Sequence, residues 1–165
     1  PQRISWQEKK RACYDKFSRY AGRPIERVEL PYQSKLIHAL LHLPPGMKAG
    51  EKVPCVMYIP GMDGVKEDNP ATGDPFLERG IAVFAIDGPG QGESNVRETW
   101  VTLDNFERAG SAAIDFLEKV PEVDASRIGP SPSRGCTSVL PVSPGVPSPA
   151  VLASSAEICS RVSMR

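Results

Sequence analysis

Two short apolar runs constrain the fold of this chain more than any other feature of its sequence. They span Val53–Ile59 and Ile81–Ile86, and each one is followed by a loop rich in glycine. Apolar runs of this length are typical of strands that are buried on both faces of a parallel sheet. Between the runs, Pro70, Pro75 and Gly80 are placed as in a short helix. The sequence therefore predicts an α/β fold in which strands alternate with helices.

Alternating and periodic apolar residues extend this pattern on both sides. Val28–Tyr32 alternates as a strand, residues 35–43 form a second strand, and residues 126–129 begin a last one. Apolar side chains recur at helical spacing between Leu103 and Leu117. We therefore predict a sheet of about five strands, mostly parallel, with flanking helices.

A further helix is predicted at the N-terminus, from residue 5 to residue 21. Ser5 and Glu8 have the spacing of a capping box, and Gly22 supplies a stop signal. Four apolar residues share one face of this helix: Trp6, Cys13, Phe17 and Tyr20.

The composition changes sharply at Gly129. The 37 residues from there to Arg165 contain six prolines, nine serines and one acid, Glu157, with no aromatic residue and no histidine. Such a segment cannot bury enough apolar surface to fold by itself. We therefore expect residues 129–165 to be a disordered tail, or a sequence translated from GC-rich DNA in a shifted reading frame.

Charge and cysteine content exclude several classes of function. Twenty Lys+Arg balance twenty Asp+Glu, so no net field favours nucleic acid or an anionic membrane. No apolar run reaches the roughly 18 residues of a membrane helix, and no charged-then-apolar leader opens the sequence. The four cysteines form no CxxC pair, which indicates no metal site and favours a reducing, cytoplasmic setting. We expect neither a metal nor a cofactor.

The two loops that follow the buried strands are the places where chemistry is expected, because sites in such sheets lie at the carboxyl ends of strands. In the first loop, a turn at Gly61–Met62 could present backbone N–H groups to an oxyanion, or it could be an ordinary tight turn. The second loop, Asp87–Ser94, has three glycines but lacks the spacing of a dinucleotide fingerprint. Lys66 and Glu67 could form a surface ion pair or an element at the edge of the pocket; a solvated pair is the commoner case, so we do not place them in the site.

The strings Ile59–Glu67, Arg79–Gly80 and above all Asp87–Glu93 (DGPGQGE) resemble the α/β-hydrolase superfamily. Within it they are most similar to the branch of 2,6-dihydroxypseudooxynicotine hydrolase and related esterase-like enzymes. The resemblance runs from about residue 25 to residue 129, and it makes residues 23–128 a partial hydrolase domain, incomplete at its C-terminal side. Residues 1–22 would then be the remnant of a preceding helical domain. The resemblance implies serine-dependent hydrolysis, with the N–H of Met62 as an oxyanion donor and Asp87–Ser94 as a structural turn.

The chain departs from this family where the nucleophile elbow G-x-S-x-G should follow the last strand. Residues 130–136 read PSPSRGC, so Ser133 is the candidate nucleophile, but Ser131 replaces the leading glycine. Proline at 130 and 132 cannot donate ladder hydrogen bonds, which a central strand requires.

The other two members of a catalytic triad are missing from this sequence. After Gly129 there is no Asp and no His, whereas the family takes both from loops that follow the elbow. The two histidines, His38 and His42, share one face of the second strand and are expected to have a structural role there, packed or half-exposed. Without a base, a serine hydroxyl is a poor nucleophile.

We therefore predict a truncated or aberrant α/β-hydrolase that has little or no activity by itself. Its full-length parent would cleave an ester, an amide or the C–C bond of a ketone in a small molecule. The alternative is a non-catalytic scaffold with a flexible, Pro/Ser-rich interaction tail. A third hypothesis is that another chain supplies the missing groups. An incomplete parallel sheet also leaves an apolar edge, which favours self-association or aggregation.

Overall fold

The computed structural model describes residues 2–61 and 63–131. Its helices are α1 (Gln2–Ser18), α2 (Asn69–Leu77), α3 (Gly92–Val96) and α4 (Asn105–Leu117), and a 3-10 turn at Lys66–Asp68 precedes α2. Its strands are β1 (Ile25–Tyr32), β2 (Lys35–His42), β3 (Val53–Tyr58), β4 (Ala82–Asp87) and β5 (Val123–Pro130).

The five strands form one sheet in the order β1-β2-β4-β3-β5. β3 is parallel to both β4 and β5, while β2 is antiparallel to β1 and to β4. Four of the five strands therefore run in the same direction, and β2 alone runs against them. The predicted α/β class and its mostly parallel sheet are confirmed. The sheet is mixed, because both pairings of β2 are antiparallel.

The main core lies on one face of the sheet, beneath α4. Ala109, Ala113 and Leu117 of α4 are buried there against the sheet, and Phe116 stacks on Phe84 with ring centroids 5.6 Å apart. Because side chains alternate across a strand, the neighbours of Phe84 point to the other face. There Ala85 and Leu40 pack around Tyr14 of α1, so α1 and α4 lie on opposite faces.

Several element boundaries differ from the predicted ones. α1 begins at Gln2, so Ser5 lies inside the helix and the predicted capping box does not start it. Leu103 is fully exposed and precedes α4, so it is not part of the buried helical face. The segment 92–96 is a short helix rather than part of a loop. The predicted last strand begins earlier, at Val123, and continues through residue 130.

Pro130 fits into β5, contrary to the prediction that it would disturb the ladder. It lies opposite Met57, and the next residue, Ser131, donates its N–H to the Met57 carbonyl at 2.9 Å. β5 is at an end of the strand order within residues 2–61 and 63–131. A proline is tolerated at such a position because one side of the strand needs no ladder donor. None of the helices in the described part of the chain is long and apolar enough to cross a membrane.

Candidate functional site

The loops that follow β3 and β4 meet at one edge of the sheet. The two strands are adjacent and parallel, with Tyr58 in register with Ala85. Their carboxyl ends therefore lie at the same edge of the sheet. The loop after β3 contains Pro60 and Gly61, and the loop after β4 begins at Gly88. This is the edge at which α/β proteins assemble their sites.

The side chain of Gln91 joins these two loops. Its Nε2 donates to the carbonyl oxygens of Pro60 (2.7 Å) and Gly61 (3.2 Å), and its Oε1 accepts the N–H of Gly88 at 2.9 Å. Gln91 is 7% exposed, so water competes little for these bonds. In a trans peptide the C=O and N–H groups point to opposite sides. Holding the Pro60 carbonyl therefore turns the N–H of Gly61 away from Gln91.

At two positions of the DGPGQGE string, neighbouring atoms lie too close for any residue with a side chain, so glycine is required. A Cβ on Gly88 would lie 2.7 Å from the ring of Phe106. A Cβ on Gly92 would lie 2.2 Å from the Oδ2 atom of Asp87, and Gly92 also has a φ of +40°. That conformation is unfavourable for residues with a side chain. The glycines thus allow the loop to wrap closely around the Asp87 carboxylate.

Asp87 and Lys66 form a buried ion pair at the centre of this loop. The Nζ of Lys66 lies 2.8 Å from Oδ2 of Asp87, 3.0 Å from Oε2 of Glu93 and 3.0 Å from Oε1 of Glu67. Asp87 also accepts the backbone N–H groups of Lys66 (2.7 Å) and Glu93 (2.8 Å). Lys66 is fully buried. The prediction that Lys66 and Glu67 form a solvated pair was wrong, because β4 and the DGPGQGE loop enclose the ammonium group.

Glu93 extends this ion pair into a network that includes three arginines. Besides Lys66, it faces Arg11 of α1 at 3.2 Å, Arg27 of β1 at 3.4 Å and Arg97 at 3.5 Å. Its side chain has no exposed surface. We call Lys66, Glu67, Asp87 and Glu93 the buried ionic cluster.

The charges of this cluster stabilise one another. Burial by itself would raise the pKa of Glu93, but the neighbouring Lys66 ammonium lowers it to about 2, with help from the Arg11 guanidinium. Burial would lower the pKa of Lys66, but the carboxylates of Asp87, Glu67 and Glu93 raise it above its ordinary value. Lys66 is therefore charged at neutral pH and cannot act as a base or as a nucleophile. The cluster is structural: it fixes the loop that holds Gln91.

The two histidines are buried in β2, in agreement with the predicted packing role. His38 is 1% exposed and His42 is fully buried. Burial lowers the pKa of both, and that of His42 falls to about 3. Neither imidazole makes a hydrogen bond through its ring nitrogens to another described residue. Both rings are neutral at physiological pH and belong to the interior of the sheet.

The predicted site residues are only partly within the described structure. Gly61 is exposed at the carboxyl edge of β3, where the prediction placed it. Met62 and Ser133 lie outside the described residues, so their roles stay predictions. Among residues 2–61 and 63–131, no group of three or more His, Cys, Asp or Glu side chains is arranged to hold a metal ion.

Sequence reasoning missed the buried Lys66 and the loop-joining Gln91. A signal for Gln91 was present, since it stands inside the DGPGQGE string between two glycines. Lys66 carried no such signal, because a lysine beside a glutamate is most often a solvated surface pair. Its burial depends on Asp87 and Glu93, which are 21 and 27 residues away along the chain.

Comparison with known proteins agrees with this architecture. The esterase FrsA-like family matches residues 6–140 of this chain. Esterase FrsA of Vibrio parahaemolyticus is 29% identical over 106 residues, which are 64% of this chain and 24% of that protein. The 2,6-dihydropseudooxynicotine hydrolase of Paenarthrobacter nicotinovorans is 29% identical over 123 residues, covering 74% of this chain and 32% of that protein.

Solved structures give the same result for the fold. A crystal structure of 2,6-dihydroxy-pseudo-oxynicotine hydrolase superposes with a TM-score of 0.66 at 29% identity, covering 75% of this chain and 34% of that chain. The structure of AbyA5 superposes with a TM-score of 0.63 at 23% identity, and it supports the fold alone.

The chain spans about a quarter to a third of the length of these curated relatives. The match nevertheless includes both loops at the carboxyl edge of the sheet and the whole of the described α/β domain. On this evidence of sequence and fold, the chain belongs to the FrsA-like esterase family of α/β-hydrolases.

Proposed function

We propose that this chain is a part of a serine-dependent hydrolase that cleaves small carbonyl compounds, and that it holds the first strands of the α/β domain. In the whole enzyme, the turn at Gly61 and Met62 would provide the oxyanion hole. The single observation that carries this proposal is the Gln91 side chain, which holds the carbonyls of Pro60 and Gly61 on one side of the turn. The N–H groups of the same two peptides would then point to the other side, where they would stabilise the negative charge of a tetrahedral intermediate.

The bond cleaved would be an ester, an amide or the C–C bond of a ketone. Membership of the esterase family supports an acyl-transfer reaction, and the names of two relatives include an esterase and a hydrolase. The buried ionic cluster supports the same proposal, because it fixes the turn without offering a competing base or nucleophile. A cytoplasmic location stays a prediction from the cysteine pattern.

The 165 residues by themselves would turn over substrate slowly or not at all. The sequence after Gly129 has no His and no Asp, so no base activates Ser133. Removing a member of a serine–histidine pair leaves only the contribution of the oxyanion hole and of binding, roughly 10³- to 10⁴-fold above water.

The test is hydrolysis of a p-nitrophenyl ester by the purified chain, together with Ser133→Ala and the matched variant Ser138→Ala. We expect the same low rate from all three proteins. An enzyme-like rate that Ser133→Ala abolishes and Ser138→Ala retains would contradict the proposed inactivity. Sequencing the gene beyond the codon for Ala125 tests the truncation, because another frame should then encode G-x-S-x-G, an acid and a histidine. A confirmed frame without them would favour a non-catalytic scaffold.

A further inference from the structure

The segment between α3 and α4 is fixed by hydrogen bonds to its backbone. Thr99 donates through its Oγ1 to the carbonyl of Leu36 at 3.0 Å. The side chain of Asn105 donates to the carbonyl of Trp100 and accepts the N–H of Thr102, both at 2.8 Å. Thr99 and Asn105 are themselves buried, with 4% and 5% of their surface exposed. The domain therefore determines the path of this segment.

The apolar side chains carried by this segment are nevertheless in water. Trp100 is 66% exposed, Val101 is 62% exposed and Leu103 is fully exposed, and the neighbouring Leu36 is exposed as well. We call these four residues the apolar ridge. Their side chains gain little from burial within the chain. Because the backbone beneath them is already ordered, little further entropy is lost when the ridge binds a partner, which is the property of a preformed interface.

The apolar ridge lies at the carboxyl edge of the sheet, far from β5 in the strand order. Leu36 is in β2, two residues before His38, and His38 lies opposite Asp87 at the end of β4. In the strand order, β4 and β3 separate β2 from β5. The ridge is therefore a different surface from the sheet edge at β5, through which an incomplete parallel sheet is expected to associate.

The shape and the charged rim of the ridge define the kind of partner that fits it. Side chains this exposed stand out from the surface, whereas small molecules bind in concave pockets. The rim carries both signs of charge, since Lys35 pairs with Glu98 at 3.9 Å and Arg108 pairs with Asp104. All four of these residues are exposed. Anionic membranes attract basic clusters, so an apolar centre with a mixed rim favours a protein partner instead.

A second copy of this chain meets these conditions. A two-fold interface brings each patch against the same patch of the other copy, so the patch must complement itself. The ridge does so, because its apolar centre would face an apolar centre, and each rim supplies both cations and carboxylates. The chain has twenty basic and twenty acidic residues, so no net charge drives two copies apart.

We propose that the apolar ridge is the centre of a two-fold interface between two copies of this chain. Trp100 and Leu103 of each copy would pack on the ridge of the other, with the rim charges paired across the axis. Four apolar side chains and four rim charges make a small interface, so the dimer would be weak and would depend on concentration. This proposal does not depend on the hydrolase function.

The test is sedimentation of the full chain over a range of concentrations. We expect the average mass to rise toward that of two chains as the concentration increases. The combined change Trp100→Ala and Leu103→Ala should raise the dissociation constant at least about 30-fold, the effect of losing a central tryptophan from an interface. The matched control, Trp6→Ala and Tyr20→Ala, removes two similarly exposed side chains near α1 and should leave the constant unchanged. Circular dichroism checks that each variant is folded.

Two charge-reversed variants test the two-fold arrangement. The first carries Lys35→Glu and Arg108→Glu, so its four rim positions are all acidic, and the second carries Glu98→Lys and Asp104→Lys, so they are all basic. Each variant alone should dimerise about tenfold more weakly than the wild type, because like charges would face each other. An equimolar mixture should recover the dimer, because the acidic rim of one variant then faces the basic rim of the other.

A chain that stays monomeric at every concentration would overturn the proposal. So would association that Trp100→Ala with Leu103→Ala leaves unchanged, since it would indicate another surface, such as the sheet edge at β5. A mixture of the two charge-reversed variants that associates no better than either alone would also overturn it. A monomer whose Trp100 emission, followed in the Trp6→Phe variant, moves to shorter wavelength with phosphatidylcholine vesicles would identify a lipid surface as the partner instead.

Discussion

Replacing Lys66 with methionine tests whether the buried ionic cluster holds the loops together. Methionine fills nearly the same volume, so the change removes the charge and leaves most of the packing. Glu93 would keep Arg11 and Arg27, and Glu67 would keep Lys10. The Asp87 carboxylate would keep only the backbone N–H groups of residues 66 and 93 among its described partners. An ionised group would thus be left buried without a countercharge.

Breaking a buried ion pair by removing one partner costs about 3–5 kcal/mol. Domains of this size have unfolding free energies of about 5–15 kcal/mol, so the Lys66→Met variant should be close to its stability limit. The assay is urea unfolding followed by circular dichroism, with the free energy taken from midpoints at a common slope. Lys10→Met is the matched control, because Lys10 also pairs with Glu67 but is 35% exposed. That variant should lose at most about 1 kcal/mol.

The pH dependence gives a second check on the same variant. The pKa of Glu93 is lowered to about 2 by Lys66, so its contribution to stability is complete above pH 4.5 and is lost as the pH falls toward 2. The difference between wild type and Lys66→Met should therefore be largest above pH 4.5 and should shrink below it. A loss under about 1 kcal/mol at pH 7, equal to that of Lys10→Met, would refute the argument, because it would show that water solvates the cluster.

Three further changes test the loops and the sheet interior. Gly92→Ala should lower the free energy of unfolding by about 2–4 kcal/mol in thermal or urea unfolding, because the new Cβ would strike Asp87. Its control is Gly50→Ala, where φ is +78° but the space is open, and the loss should be only about 1 kcal/mol. Gln91→Leu should abolish the protection of the Gly88 amide in hydrogen exchange, whereas Gln2→Leu, at an exposed position of α1, should retain it; equal exchange in both would contradict the bond. The pKa of His42 is lowered to about 3, so below pH 6.5 the unfolded chain binds a proton there that the folded chain does not, and stability is lost. By pH 5 the wild type should lose about 2 kcal/mol that His42→Leu does not lose. Parallel pH profiles of the two proteins would contradict this.

The sequence predicted the sheet well because its strands carry strong local signals. Val53–Tyr58 and Ala82–Asp87 are short, apolar and bounded by loops, which is how strands covered on both faces appear in any sequence. The alternation in β1 likewise reflects one buried face. Helix α1 was predicted to exist, but its contacts were not, because it docks through ion pairs rather than through its apolar residues.

The candidate site was less predictable because its contacts join residues that are distant along the chain. Gly61 is 30 residues from Gln91, and Lys66 is 21 residues from Asp87. The glycines of DGPGQGE were visible as a motif, but only the folded loop shows that a Cβ at position 92 would strike the Asp87 carboxylate. Pattern rules describe local periodicity and have no means to foresee such distant pairs.

Glu93 connects the loop that carries Gln91 with the docking of helix α1. One oxygen of its carboxylate accepts from Lys66, which anchors the loop carrying Gln91, and the other faces Arg11 of α1. A carboxylate in that place therefore stabilises both the turn at Gly61 and the docking of α1. Because these contacts are ionic and α1 contributes one buried apolar residue, Tyr14, salt should weaken the docking of α1 more than the packing of α4. The FrsA-like domain thus combines an apolar face, where α4 forms the core, with an ionic face on which α1 docks.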